Sequence, residues 1–506
     1  MADPYVSGLN VTETTAVSGN PYSLQMGISS EELKRVNREL LYWKFYKGIQ
    51  WSYKRPEGEP QNTINYSARF VDKGVAFLAG KGFTINVEKG AEEIVKKPLD
   101  EVWDDNQREL LFLEAAQAGG VSGNSWVKIV VEEYDEGKQP VMADLYPNGR
   151  VRLLLLPGHA CFPEWDPHDK DRLVKMKIIY PIEVKDLNGR MVTHWFREEI
   201  DADEIVQFLD DEEVERRPND LKEIPVVRIK NLVLANESLG KSDLHDILPL
   251  QKEFNEKTTD VSDIINYHAA PITLIFGAKS NNLSKGANKV WGGLPKDAKV
   301  ENLELKSDLA SSMNYIDLIK KALFEIGNMP HDAFGSETNV SNTSGVALHI
   351  KNQPLMDITN MKRKTYGEGI EQINRIIIRY LYLYGLNGFD KAKFDALTPR
   401  QRWVYSTDFP NPLPKDELIQ MQLIAQKITL QLMTRIDALK ELGEHDAVTK
   451  LDEIKKEFIE WQDMMFATAA KYETNSNGNS TLKPKPAGKT NVGGIVPKFE
   501  QANGGA

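Results

Sequence analysis

SDLHDILPLQKEFNEKTTDVSDIINYH, residues 242–268, and DLASSMNYIDLIKKALFEI, residues 308–326, decide the fold. In the first, Leu244, Ile247, Phe254, Val261 and Ile265 recur close to heptad spacing, which predicts a helix with a narrow apolar seam. In the second, Leu309, Met313, Ile316, Ile319, Leu323 and Ile326 share one helical face. Helices with seams this narrow bury little within one chain and are expected to pair with each other and with neighbouring copies. Between them APITLIFG, residues 270–277, reads as a strand, and a Gly-, Asn- and Lys-rich excursion runs on to Leu303. The excursion is a small insertion between two helices.

Downstream, residues 327–344 contain Pro330, Gly335 and a run of Ser, Thr and Asn, which predicts an exposed loop. Asn342, Thr343 or Ser344 can cap the next helix. That helical pattern, the longest in the chain, spans 345–384, about 60 Å at 1.5 Å per residue, with a kink expected at Pro354. Two more helices are expected at 415–442 and 446–472, then a disordered tail poor in apolar residues.

Upstream, Ser30 is placed to cap a helix over 30–51, and 64–77 leads through Gly80-Lys81-Gly82 into a strand carrying Phe83, Ile85 and Val87. A helix is expected over 92–118. Short apolar runs at 126–130, 141–146, 151–156, 174–180 and 191–196 predict a β-rich region. The acidic run 198–215 reads as a solvated face or loop, and residues 1–20 as a flexible arm without a secretory pattern. The fold class expected is α+β, predominantly helical.

The chain has 506 residues, enough for several modules, and 41% hydrophobic residues, so most of it is expected to fold. Its one cysteine, Cys161, excludes an intrachain disulfide and fits a reducing cytoplasm. No apolar run reaches the length of a membrane span, so a soluble protein is expected. The net charge of −11 argues against tight grip on DNA through phosphate neutralisation. It is compatible with a wall along which DNA slides.

No catalytic constellation is legible. Between Gly74 and Gly80 stand five residues where a phosphate-binding loop has four, and Gly82 replaces the magnesium-binding Ser or Thr. A helix end turning into a strand explains that segment. Gly120-Val121-Ser122-Gly123 lacks the spacing of a nucleophile elbow and reads as a helix running into a strand. His159 and His168 lie near Asp166 and Asp169 in a turn between strands, without metal-ligand spacing. No metal or cofactor is expected.

The order of parts resembles phage portal proteins, particularly those of siphophages of Gram-positive bacteria. It consists of a helix, the strand at 271–277, Leu294-Pro295 with Ala298-Lys299-Val300 and Leu303, a second helix, Pro330 with Gly335, and Ser344-Gly345-Val346-Ala347-Leu348 opening the longest helix. Asn65, Asp72, Leu78-Ala79-Gly80-Lys81, Ile436-Asp437-Ala438 and Leu451-Asp452-Glu453-Ile454 also look like this family.

The resemblance implies a ring of about twelve copies with wing, stem, clip and crown regions, in the virion at one capsid vertex. By position, 1–29 would be a flexible arm, 30–240 the wing, 241–268 and 308–333 the stem helices and 269–307 the clip. Residues 334–344 would be the tunnel loop, 345–386 the long wing and crown helix, 387–414 a connector, 415–472 the crown and 473–506 the tail. The tunnel loop would face double-stranded DNA through Phe334, Gly335, Ser336, Asn339, Ser341, Asn342, Thr343 and Ser344. Lys252, Lys257, Lys320 and Lys321 are candidate basic groups along the channel, with solvated helix positions as the alternative. Asn281, Asn282, Lys285, Lys289 and Trp291 would form the clip's docking surface. The implied partners are the terminase large subunit, a head-tail connector or adaptor, the major capsid protein and a scaffold protein. A DNA-processing enzyme and a monomeric structural adaptor are the competing readings.

Overall fold

Ser29, one residue before the expected cap, opens α1 (Ser30–Tyr46). Its hydroxyl accepts from the Glu32 amide at 3.2 Å, while the Glu32 carboxylate accepts from the Ser29 amide at 3.0 Å. The computed structural model describes residues 28–57, 59–134, 137, 139–185, 190–269, 273–276, 299–302, 309–330, 350–413, 417–444 and 447–476. Asn65 caps α2 (Tyr66–Ala79), and Gly82, at φ +65°, turns the chain into β1 (Thr84–Val87).

The single helix expected over 92–118 is broken. A short π-turn leads into α3 (Lys97–Asp105), and Gln107, at φ +55°, separates it from α4 (Arg108–Ser122). A distant strand decides the break. The Asn106 amide donates to Val151 O at 2.9 Å and its carbonyl accepts from the Leu153 amide at 2.9 Å.

The β-rich region comprises β2 (Asn124–Glu132), the helix α5 (Pro140–Leu145), β3 (Arg150–Leu156), β4 (Cys161–Trp165), β5 (Leu173–Lys185), β6 (Met191–Ile200), β7 (Glu204–Leu209), β8 (Glu212–Pro218) and β9 (Val226–Lys230). They form an antiparallel sheet β3-β2-β9 and a meander β4-β5-β6-β7-β8. Of residues 141–146, read as a strand, 141–145 are helical because Pro140 starts a helical turn. The acidic run is not a loop but the end of β6, all of β7 and the first part of β8, joined at Asp210 and Asp211 in left-handed conformation, and in β8 it is the solvated face expected. Glu198 within it is only 2% exposed and is bonded to the Lys128 ammonium.

Next come α6 (Leu248–Ala269), β10 (Thr273–Phe276) antiparallel to β11 (Lys299–Asn302), and α7 (Leu309–Ile326). The long helix α8 (Gln353–Tyr384) carries Pro354 in its first turn. Ile350 and Lys351 are helical as well, so the pattern is interrupted at Asn352, two residues before the proline, which then sits in a first turn that needs no amide donor there. Its 32 residues span about 48 Å, shorter than expected. The first compact unit, which reaches Pro414, closes with α9 (Lys391–Asp395), α10 (Pro399–Trp403) and β12 (Tyr405–Asp408), which pairs with β1.

The main core lies where Val127, Ile129, Leu153 and Ile229 of the three-stranded sheet meet Ile370, Ile373, Ile377 and Leu381 of α8. α3 and α4 add Trp103 and Phe112, and Trp103 Nε1 donates to Asn374 Oδ1 at 2.7 Å. A second cluster around Trp126, Met176, Ile178 and Ile200 joins the two sheets.

The second compact unit holds α11 (Glu417–Thr429), α12 (Arg435–Glu441) and α13 (Ala447–Ser476). The helix expected over 415–442 is divided. Gln431 sits at φ +58° and Thr434 caps α12 by accepting from the Asp437 amide.

Candidate functional site

α6 and α7 run antiparallel. Phe254 and Val261 of α6 cluster with Ile316 and Ile319 of α7, while Leu244 and Ile247, just before α6, cluster with Leu323 and Phe324 near the end of α7. Most of the expected seam is thus buried. Ile265, Met313 and Ile326 depart from it, each close to half exposed. α7 also carries a second apolar stripe on another face. Tyr315, Leu318 and Ile326 are exposed there, with Ala322 half-buried between them.

The side of α6 away from solvent is polar where it meets the segment before α2. Gln251 accepts from the Tyr66 amide at 3.2 Å and donates to Ile64 O at 2.7 Å. Asn255 accepts from the Ile64 amide at 3.0 Å, and Thr259 from the Asn62 amide at 3.1 Å. Farther along, Arg55 reaches Asp263 at 2.8 Å. These bonds satisfy a backbone stretch that has no strand partner. Gln251, Asn255 and Thr259 recur every four residues, a signal the apolar reading passed over.

At the base of the pair lies a buried charge. Lys362 of α8 donates to Asp243 Oδ2 at 2.6 Å, Asn231 donates to Asp243 Oδ1 at 2.8 Å, and the Asp243 amide is bonded to Gly120 O at 2.9 Å. Glycine at 74 and 120 keeps room for the pair. A Cβ at Gly120 would stand 3.1 Å from Val71 and 3.2 Å from Asp243 Oδ2. Beside it a cavity of about 70 Å³ is lined by Gly327, Asn328, Met329, Leu355, Thr359 and Lys362, among others. Asn328, at φ +53°, ends α7, and Met329 and Leu355 are buried in one apolar cluster. Both flanks of residues 331–349 are therefore anchored at the same place.

Lys252, Lys320 and Lys321 are exposed on these helices. Lys257 is half-buried and donates to Asp260 at 3.0 Å, which raises its pKa and offsets its charge within α6. Phe334, Gly335, Ser336, Asn339, Ser341, Asn342, Thr343 and Ser344 lie outside the described residues, as do Asn281, Asn282, Lys285, Lys289 and Trp291. The strand pair β10–β11 sets Phe276 opposite Lys299, so the ends of that insertion stand side by side.

The other sequence candidates are structural parts. Gly74 lies inside α2 against the Asp243–Lys362 pair, and Gly123, at φ +87°, passes the chain from α4 to β2. His159 is buried in a short turn before β4, and the His168 amide is bonded to Asp166. Among the described residues no three His, Cys, Asp or Glu side chains gather to hold a metal ion, and no helix is long and apolar enough to cross a membrane.

Residues 30–462 match the family described as phage portal protein, SPP1 Gp6-like. No curated protein matches the chain. The match begins at the first residue of α1, takes in the α6–α7 pair and α8, and ends within α13, most of the sequence. With its paired helices, strand-bracketed insertion and long following helix matched together, the chain belongs to the phage portal protein family of the SPP1 Gp6-like type.

Proposed function

We propose that the chain is the subunit of a closed ring, of about twelve copies, at one vertex of a tailed phage capsid. Viral DNA is packaged and ejected through its channel. The ring also serves as the docking platform for the terminase motor and the head-tail connector, and it catalyses no reaction. The observation that carries this reading is the doubled apolar surface of α7. One face is buried against α6, while Tyr315, Leu318 and Ile326 on another remain exposed and have room for a neighbouring copy.

In this reading α6 and α7 are the stem, and the insertion between them, from 269 to 307, is the clip that projects from their far ends. Residues 334–344 form the tunnel loop, 30–240 the wing, and 415–472 the crown. The loop's small and polar composition, with no Lys or Arg, supports weak exchangeable contacts with DNA. Twelve copies at −11 each disfavour adhesion of DNA along the channel.

Native mass measurement and electron-microscope images of the purified protein test the proposal. Closed rings with a central channel are expected. A stable, folded monomer at micromolar concentration overturns it.

A further inference from the structure

The Asp243–Lys362 pair has a third member. Asn231, the residue after β9, is 1% exposed and donates from Nδ2 to Asp243 Oδ1 at 2.8 Å and to Lys241 O at 3.1 Å. Two acceptors on one side settle which end of the amide faces the carboxylate. Its carbonyl oxygen is buried and, among the described residues, accepts no hydrogen bond. A junction built only to anchor α8 does not need an amide whose carbonyl stays unpaired, a state that buried polar groups rarely keep.

The three side chains are arranged for a reaction. Lys362 Nζ binds one oxygen of the carboxylate at 2.6 Å, and Asn231 Nδ2 binds the other, so amine and amide are held as neighbours with the carboxylate between them. These are the nucleophile, the electrophile with its leaving group, and the acid-base group of an amide transfer. Helix backbone walls the site. A Cβ at Gly74 would stand 3.7 Å from both Lys362 Nζ and Asp243 Oδ2, and one at Gly119 would stand 3.6 Å from Asn231 Cβ. Tyr366, one turn beyond Lys362 on α8, is fully buried against Gly119. Groups fixed in this way escape the entropic cost that makes aminolysis of an amide slow in solution.

We infer that Lys362 and Asn231 become joined by an isopeptide bond, with Asp243 moving the protons. Lys362 gives a proton to Asp243, and the neutral amine attacks Asn231 Cγ. The Nζ–Cγ bond forms and the Cγ–Nδ2 bond breaks. Of the three protons on the ammonium, one stays on the new amide, one reaches Nδ2 through Asp243, and the third leaves with the ammonia as ammonium ion. No oxidant, reductant or cofactor is required. The cavity of about 70 Å³ beside Lys362 and Asp243 gives the leaving group a place to go. Because α6, β10, β11 and α7 all lie between residues 231 and 362, the bond closes the chain across the base of that excursion and restricts its unfolded state. It lies within one copy, so it stands apart from the ring reading.

The test measures the intact mass of the purified, folded full-length chain after denaturation, and then maps its proteolytic peptides. A mass below that of the sequence by one ammonia is expected, with one peptide joining the segment of Asn231 to that of Lys362. The full mass overturns the inference. So does loss of one water, which places the bond at Asp243 itself, and so does loss of ammonia without the joined peptide, which marks a cyclised asparagine. Lys362→Arg keeps the positive charge beside Asp243 but cannot form the bond, and Asp243→Asn removes the proton carrier. Both variants are expected at full mass with no joined peptide, and a joined peptide in Asp243→Asn at the wild-type yield overturns the role given to Asp243.

Discussion

The ammonium of Lys362, in α8, lies 2.6 Å from a carboxylate oxygen of Asp243, 119 positions earlier in the chain. The Lys362 side chain is only 5% exposed and that of Asp243 16%. The pair ties the turn that enters α6 to the start of α8, at the place where both flanks of residues 331–349 are held. Removing one partner leaves a buried charge without compensation, which costs about 3–5 kcal/mol. Lys362→Met is therefore expected to lower the denaturant midpoint markedly. Asp243→Leu combined with Lys362→Met should cost less than the sum of the two single changes. A midpoint for Lys362→Met equal to wild type shows that the pair does not hold this junction.

Gly119 lies under the hydroxyl of Tyr366, and a Cβ there would come within 2.0 Å of that oxygen. Tyr366 is fully buried, so it has little room to move. Gly119→Ala is expected to destabilise by about 1–3 kcal/mol through overpacking. Tyr366→Phe removes the clashing atom, and the double variant should recover part of the loss. Strict additivity in equilibrium unfolding would contradict the contact.

Asn255 is 2% exposed and serves both the Ile64 amide and Gln50. Asn255→Leu leaves those groups unpaired, at about 1–3 kcal/mol. Limited proteolysis should then cut faster within residues 50–64 than elsewhere. An unchanged cleavage pattern means that α6 does not secure this segment.

Asp201 turns the chain from β6 to β7. The amide of Glu204, assisted by that of Asp203, holds the Asp201 carboxyl below the usual carboxylate range, each at 2.8 Å. The native pKa is depressed, so the contribution is complete above the unfolded-state value and fades as pH falls through the native one. Asp201→Ala should be less stable than wild type by about 1 kcal/mol at neutral pH. The two stability curves should converge in acid, and a gap that stays constant down to pH 2 rules out this origin.

If residues 334–344 face DNA, Asn339→Lys with Asn342→Lys in every copy should leave the ring intact and slow DNA passage, more so at low salt. Packaging rate and length are the measurements. Values that do not change with salt in an intact ring remove the loop from the DNA path.

What the sequence alone determined was local and periodic. The apolar spacing of Phe254, Val261, Ile316 and Ile319 was enough to set two helices with a strand-bearing insertion between them, because helical periodicity is a property of neighbouring residues. The alternation near Ile85 and the runs at 126–130 and 151–156 likewise marked strands. Tertiary structure decided whatever depends on distant partners. Asn106 breaks a helix because strand β3 needs its amide, and Glu198 leaves the acidic surface because Lys128 waits beneath it. Near Pro354 the helical pattern breaks at Asn352, and the proline stands in the first turn after the break, where its missing amide costs nothing. The Asp243–Lys362 pair has no sequence signature at all. A buried ion pair is chosen by where two remote segments meet and by the water excluded there, and neither is encoded in the spacing of the residues themselves.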